Sequence, residues 1–198
     1  GYAPDATFRS LLVSPNGVRD GLVERIDREI AFKAEGKDAR IRVKVNSLVD
    51  EQIIDALYRA SMAGVPVEIV VRGMCALRPG VPGLSDTIKV RSVLGRYLEH
   101  SRIFTFAGGG DPSVFIGSAD MMHRNLDRRV EALVRISQPD QIKELNGLFD
   151  LAMSEGSASW HLGEDGEWQR KQYDAEGQPL IDVQDQIMKT VYAGRNKG

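Results

Sequence analysis

The spacing of hydrophobic and polar positions changes period several times along the chain, and each change marks an element. Residues 8–13 form a short apolar run (Phe8, Leu11, Leu12, Val13) with the length and composition of a buried strand, closed by Ser14-Pro15-Asn16-Gly17. Ser14 or Asn16 can cap the helix that begins near Val18, which sets Leu22, Ile26 and Ile30 on one face and stops near Gly36. Residues 40–45 alternate charged and aliphatic side chains at the strand period, and Asn46-Ser47 ends the run. Asp50 caps a second helix with Ile53, Ile54, Leu57 and Met62 turned inward, ending at Gly64. Residues 65–71 are apolar and β-branched save for Glu68, as in a parallel-sheet strand covered on both faces.

This β-α-β-α-β order calls for right-handed crossovers and predicts an α/β fold with helices on both faces of a mixed or parallel sheet. The stretch 73–86, with Pro79, Gly80, Pro82 and Gly83, is too long for a plain connector and is expected to carry function. Strands follow at 88–93, 102–106, 114–116 and 130–136, and a helix over 138–153. Past Ser154, glycines and serines interrupt a polar segment holding Trp160 and Trp168. A last amphipathic helix over 180–192 then carries Ile181, Val183, Ile187 and Val191. Three segments result: an extension over 1–7, a main domain over 8–153, and a peripheral tail over 154–198.

Length and composition narrow the function. A chain of 198 residues, 42% hydrophobic and 27% charged, can bury one real core. Its 26 Lys and Arg against 28 Asp and Glu exclude a surface coated in positive charge for bulk nucleic-acid binding, so any anion site is local. Residues 66–135 are such a locality: Arg72, Arg78, Lys89, Arg91, Arg96, Arg102, Arg124, Arg128, Arg129 and Arg135 stand against seven acids. Arginine in preference to lysine suits bidentate phosphate recognition, although pairing with Glu99, Asp120, Asp127 and Glu131 would occupy several of these forks. The one cysteine, Cys75, rules out an internal disulfide and reads as an inert packing thiol. No apolar run is long enough to span a bilayer, and a reduced, cytoplasmic setting is expected, with membrane association as the variant. Gly1-Tyr2-Ala3-Pro4 has neither an initiator Met nor a signal-peptide pattern, and reads as the start of a fragment.

His100 stands where a polar loop enters an apolar strand, and Arg102 shares its face, so imidazole and guanidinium can address one phosphate together. Gly117-Ser118-Ala119-Asp120 ends the next strand, where glycine permits close approach and the Ser118 hydroxyl can donate to a phosphate oxygen. His123 and His161 lack metal-ligand spacing to any Cys or acid cluster, so no metal site is expected. Gly108-Gly109-Gly110 lacks a following helix and lysine, and reads as a hairpin turn rather than a P-loop.

These residues resemble half of a phospholipase D type site, in which His-x-Lys precedes Gly-Ser-x-Asn. Arg102 replaces the lysine, Asp120 the asparagine, and Ala107 the acid expected five residues after the lysine position. Further strings sharpen the likeness: Lys44-Val45-Asn46-Ser47-Leu48-Val49-Asp50, Val71-Arg72-Gly73-Met74-Cys75, Leu77-Arg78-Pro79-Gly80-Val81-Pro82-Gly83-Leu84-Ser85 and Gly95-Arg96-Tyr97-Leu98-Glu99-His100-Ser101-Arg102. With Gly117 through Arg129, they are similar in order to the C-terminal catalytic domain of the long-form polyphosphate kinase family, over about residues 8–153.

That resemblance implies a transferase that moves the terminal phosphate of ATP reversibly onto inorganic polyphosphate. It implies catalytic roles for His100 and Arg102, and nucleotide or phosphate contacts from Arg72, His100, Ser118, Arg124 and Arg129. The phosphorylated histidine, the adenine pocket and most ligands of the Mg2+ that accompanies ATP would lie in preceding domains of the same polypeptide, leaving this domain inactive alone and the whole protein a homo-oligomer. Nucleic acid is not an expected partner. The alternatives are a phosphodiesterase or nuclease half-site completed by dimerisation, and a non-catalytic polyanion-binding module.

Overall fold

A single nine-stranded sheet organises the chain, whose computed structural model describes residues 10–15 and 17–195. The chain runs β1 (Leu11–Val13), α1 (Val18–Ala34), β2 (Ile41–Val45), α2 (Glu51–Met62), β3 (Val67–Val71), β4 (Ile88–Ser92), β5 (Ile103–Phe106), β6 (Ser113–Gly117), β7 (Ala132–Ile136), α3 (Pro139–Ala152), β8 (Ser159–Leu162), β9 (Trp168–Lys171) and α4 (Val183–Arg195). Spatial order is β1-β7-β6-β5-β2-β3-β4-β8-β9. Among the described strands, β2-β3 and β3-β4 pair in parallel and the others antiparallel, so the sheet is mixed. The expected parallel unit therefore holds from β2 through β4, whereas β1 sits beyond three intervening strands, antiparallel to β7.

The apolar run of β3 is covered on both faces, as its composition requires. Val67, Ile69 and Val71 join Phe104, Phe106 and Phe115 in the core under α1 and α2, while Val70, Ile103 and Val114 meet Phe149 and Ala152 of α3 on the opposite face. Burying side chains of this size stabilises the fold by about 1.5–3 kcal/mol each. Glu68, the polar break in that run, faces its register partner Arg42 at 2.6 Å. Arg42 reaches Asp150 of α3 at 2.6 Å and lies over the Phe149 ring.

Local signals hold with corrections. Asp50 caps α2 by accepting from the Ile53 N–H at 3.2 Å. Ser14 does not cap α1: its hydroxyl donates to the carbonyls of Asn125 and Arg129 at 2.9 and 3.0 Å, because β1 is drawn to the far edge of the sheet beside the 124–132 segment. Asn16, Phe8 and the extension over 1–7 lie outside the described residues. Met62 is exposed rather than inward, since it ends α2 beyond the face formed by Ile53, Leu57 and Ala60. The triple glycine is a tight turn between β5 and β6, all three residues at positive φ, with buried Glu29 accepting from the Gly108 N–H at 2.8 Å. The tail, expected as a peripheral attachment with a terminal helix, extends the same sheet: β8 pairs with β4 and β9 with β8.

Candidate active site

Strand directions bring the chemistry-bearing residues to one end of the sheet. Asn46 follows β2, Arg72 follows β3, Arg102 precedes β5 and Ser118 follows β6; because β5 runs antiparallel to both β2 and β6, these four positions share an edge. This is the strand-end location at which open α/β sheets bind ligands. The irregular segment 93–102, leading from β4 to β5, carries His100 across the ends of β3 and β2.

Asp120 is the buried hub of this edge. Its carboxylate accepts from the Asn46 backbone N–H at 2.7 Å, from Asn46 Nδ2 at 3.2 and 3.3 Å, and from Arg102 Nε and Nη2 at 3.3 and 2.9 Å. Burial on its own would raise the Asp120 carboxyl, but the Arg102 bond and charge and the Asn46 donors outweigh it and hold the group below the ordinary carboxylate range. Arginine for lysine and aspartate for asparagine are thus one compensated change: the two departures from the phospholipase D pattern form a fork with two parallel bonds. The same Arg102 turns Nη1 to His100 Nδ1 at 2.7 Å and to the His100 carbonyl at 2.9 Å, and Asn46 Nδ2 stands 3.5 Å from Nδ1. A guanidinium only donates, so Nδ1 accepts, and in the neutral ring the proton sits on Nε2. The His100 side chain is exposed at this end.

A second set of contacts fixes Glu99. Its carbonyl accepts from Arg72 Nη1 at 2.6 Å, and its carboxylate takes Lys44 Nζ and the Ser101 hydroxyl. Burial opposes ionisation of Glu99, yet the hydrogen bonds from Lys44 and Ser101 and the Lys44 charge lower its carboxyl. Burial also dominates at Lys44 and pulls its ammonium below the ordinary lysine value despite Glu99, with Arg72 and Arg102 adding to the fall.

Of the expected site residues, the structure brings His100 and Arg102 into contact, with Arg72 one residue away through Glu99. Ser118 is exposed at the same edge; its hydroxyl accepts from the Ala132 N–H at 3.4 Å, so it serves the β6–β7 pairing rather than pointing freely. Gly117 allows close approach as expected, but to β7: a Cβ there would lie 2.0 Å from the Ala132 carbonyl oxygen. Arg124 and Arg129 sit on and beside a π-helical turn (Arg124–Arg128), exposed and without contact to His100 among the described residues. That turn is anchored by Asp127, which accepts from Arg19 at 2.5 and 2.9 Å. Of the 73–86 stretch, residues 73–76 adjoin the site, with the Gly73 N–H donating to the Asn46 carbonyl at 2.7 Å and Cys75 bridged to Leu48. Burial pushes the Cys75 thiol up to about 11, in keeping with a packing role.

Asn46, Asp120, Lys44 and Glu99 were not among the expected site residues. Lys44 and Asn46 alternate at the end of β2, a strand-end signal that could have found them; nothing local ties Asp120 to Asn46 across 74 residues. Among the described residues no group of His, Cys, Asp and Glu is arranged to hold a metal ion, and the carboxylates of Asp120 and Glu99 are each engaged by a cation. The site does not fit a magnesium ion of its own.

Among known families, the chain matches polyphosphate kinase C-terminal domain 2 over residues 11–182. The match runs past residue 153 to include β8 and β9. A polyphosphate kinase of Streptomyces coelicolor is 61% identical over 188 residues, covering 95% of this chain and 25% of that protein. One from Mycobacterium tuberculosis is 50% identical over 193 residues, covering 96% and 26%. The chain thus spans about a quarter of the length of these curated relatives. The crystal structure of the polyphosphate kinase from Porphyromonas gingivalis matches with a TM-score of 0.89 at 32% identity, over 97% of this chain and 29% of that one. Nuc of Salmonella typhimurium, a phospholipase D family member, matches with a TM-score of 0.54 at 18% identity, over 81% and 97%, a likeness of fold alone.

Proposed function

We propose that this chain, which belongs to the polyphosphate kinase family through its C-terminal domain 2, works within a longer polypeptide to move the terminal phosphate of ATP reversibly onto inorganic polyphosphate. The observation that carries the reading is His100 itself: an exposed imidazole at the sheet end whose Nδ1 takes an N–H from Arg102, while Nε2–H has no partner among the described residues. Phosphoryl transfer needs positioning and charge neutralisation more than covalent work. His100 donates from Nε2 to the phosphoryl or leaving oxygen as charge develops there. This is hydrogen-bond stabilisation of developing charge rather than nucleophilic attack, because the nitrogen without a proton faces a guanidinium. Arg72 spends one nitrogen on the Glu99 carbonyl and offers the rest of its fork to a phosphate. Arg124, Arg129 and Ser118 contact the phosphate chain further out.

The covalent intermediate, the adenine pocket and the ligands of the Mg2+ that travels with ATP belong to preceding domains of the polypeptide, so the isolated chain is inactive. The working form is a cytoplasmic or membrane-associated homo-oligomer; among the described residues no helix is long and apolar enough to cross a membrane. In the full-length protein His100→Ala is expected to cut the kcat of ATP-dependent polyphosphate synthesis by about 10²- to 10³-fold, with an unchanged melting temperature. Near-native turnover in a normally melting variant removes His100 from the chemistry. Hydrolysis of a generic phosphodiester at a rate above polyphosphate synthesis would instead favour the phosphodiesterase reading.

A further inference from the structure

The segment that carries His100 makes no regular secondary structure over 93–102, so its shape is imposed by what grips it. Arg72 and Lys44 hold Glu99, and Asp120 holds Arg102. A further grip comes from the far end of the chain. Gln184, in the first turn of α4, accepts from the Tyr97 N–H through Oε1 at 2.7 Å and donates from Nε2 to the Tyr97 carbonyl at 2.8 Å. One side-chain amide thus satisfies both polar groups of a single residue's backbone, as a neighbouring strand would. Gln184 is only 8% exposed, and its fit demands a glycine opposite: a Cβ on Gly95 would lie 2.4 Å from Oε1.

The position of Gln184 is fixed in turn by the sheet. Asp182 caps the start of α4 by accepting from the Asp185 N–H at 2.9 Å, and Val183 is buried beside it. Ile181 bridges Ser157, donating to the Gly156 carbonyl and accepting from the Ala158 N–H, both at 2.9 Å. Ser157 leads into β8, which pairs with β4, the strand from which the 93–102 segment departs. The tail therefore closes a circuit, from β4 through β8 and the start of α4 back to Tyr97, three residues before His100.

We propose that Gln184 is a positioning residue: its two-bond contact with Tyr97 latches the 93–102 segment so that His100 stands at the sheet end against Arg102, which makes the tail a working part of the active site. The inference rests on the role given to His100 above. Only an uncharged amide of this length meets both groups. Glutamate cannot donate to the carbonyl, and asparagine is one methylene short.

The test uses the full-length protein. Gln184→Ala is expected to lower kcat by about 10- to 100-fold through misplacement of His100, with little change in KM. It is also expected to speed amide exchange of the peptide spanning 93–102 by about tenfold or more while the β3 and β4 peptides stay protected. Gly95→Ala, which crowds the latch while leaving Gln184 in place, should show the same two effects, so the outcome does not hang on one variant's folding. Because Gln184 acts through His100, Gln184→Ala combined with His100→Ala should be no slower than His100→Ala alone. Unchanged exchange over 93–102, or a double variant slowed by the product of the single effects, overturns the proposal. Were His100→Ala itself fully active, the functional reading would fall while the exchange result still decided whether the latch exists.

Discussion

At the scale of single residues, the Arg102–Asp120 pair bears more of the site than any other contact. Asp120 holds two donors that both approach His100 Nδ1, so removing the carboxylate releases Arg102 and Asn46 together. Asp120→Ala leaves a largely buried guanidinium without its counter-charge and an Asn46 N–H without its acceptor, and is expected to destabilise the protein by about 3–5 kcal/mol. Asp120→Asn keeps one acceptor oxygen and should cost less stability, yet still lower kcat in the full-length protein because the Arg102 fork loses its second bond. Arg102→Lys isolates the catalytic part. An ammonium can pair with Asp120 but cannot at the same time hold the His100 ring and carbonyl in one plane, so kcat should fall while the melting temperature changes little. Chemical denaturation and steady-state kinetics on the same preparations separate the two effects. Equal rates for wild type and Arg102→Lys would mean that the contact with His100 is incidental.

At the scale of elements, the seam between β4 and β8 is where a polar tail meets the main sheet, and His161 reports on it. His161 lies opposite Arg91 in the β4–β8 register, with Nε2 3.1 Å from the Ser159 hydroxyl. Burial, reinforced by the charges of Arg91 and Lys171, pushes its imidazole down to about 4. The sign follows from linkage: the unfolded chain takes up this proton near 6.5 and the folded one only near 4, so the proton favours unfolding. The stabilising contribution is therefore complete above about pH 6.5, declines as pH falls towards 4 and then levels off. His161→Gln should flatten that part of the stability profile, measured as melting temperature against pH, and the wild-type ring resonances should still be those of neutral imidazole at pH 5. A wild-type ring that titrates near 6.5 would show that the seam is wet and that Arg91 exerts no pull. Arg91 itself is buried, donating to the Ser154 carbonyl at 2.6 Å and to Glu155, so it ties β4 to the start of the tail whatever the state of His161.

At the scale of the whole molecule, what could be read from the chain alone followed the range of each interaction. The α1, β2, α2 and β3 run was legible because caps, periodicity and β-branched composition are local, and Asp50, Leu22 and residues 67–71 behave accordingly. His100, Arg102 and Ser118 were legible as strand-end residues, but the contact of His100 with Arg102 comes from the irregular 93–102 segment and not from the two-residue strand period that suggested it. The Asn46–Asp120 tie, the Ser14 bonds to 125 and 129, and the Gln184 latch were not, since each joins residues 74 to 115 positions apart and leaves no periodic trace. The strands β8 and β9 were missed for another reason: Trp160 and His161 of β8 are half-buried, Arg170 and Lys171 of the edge strand β9 are exposed, and such strands have loop-like composition. The tail is consequently the part whose importance the sequence understates. A chain cut after Met153 would leave β4 as a bare edge, strip Leu162 and Trp168 from the main core, and remove the carbonyl and carboxylate that hold Arg91. Both side chains are only partly buried, so losing their contacts costs less than the roughly 1.5–3 kcal/mol each of full burial, and the exposed β4 edge and the unpartnered Arg91 add to it. The truncated chain is expected to aggregate or to melt far below the intact one, as read by size exclusion and thermal denaturation of both. A monodisperse 1–153 fragment with the melting temperature of the full chain would make the tail an appendage as far as stability goes, leaving the Gln184 latch to be decided by amide exchange over 93–102.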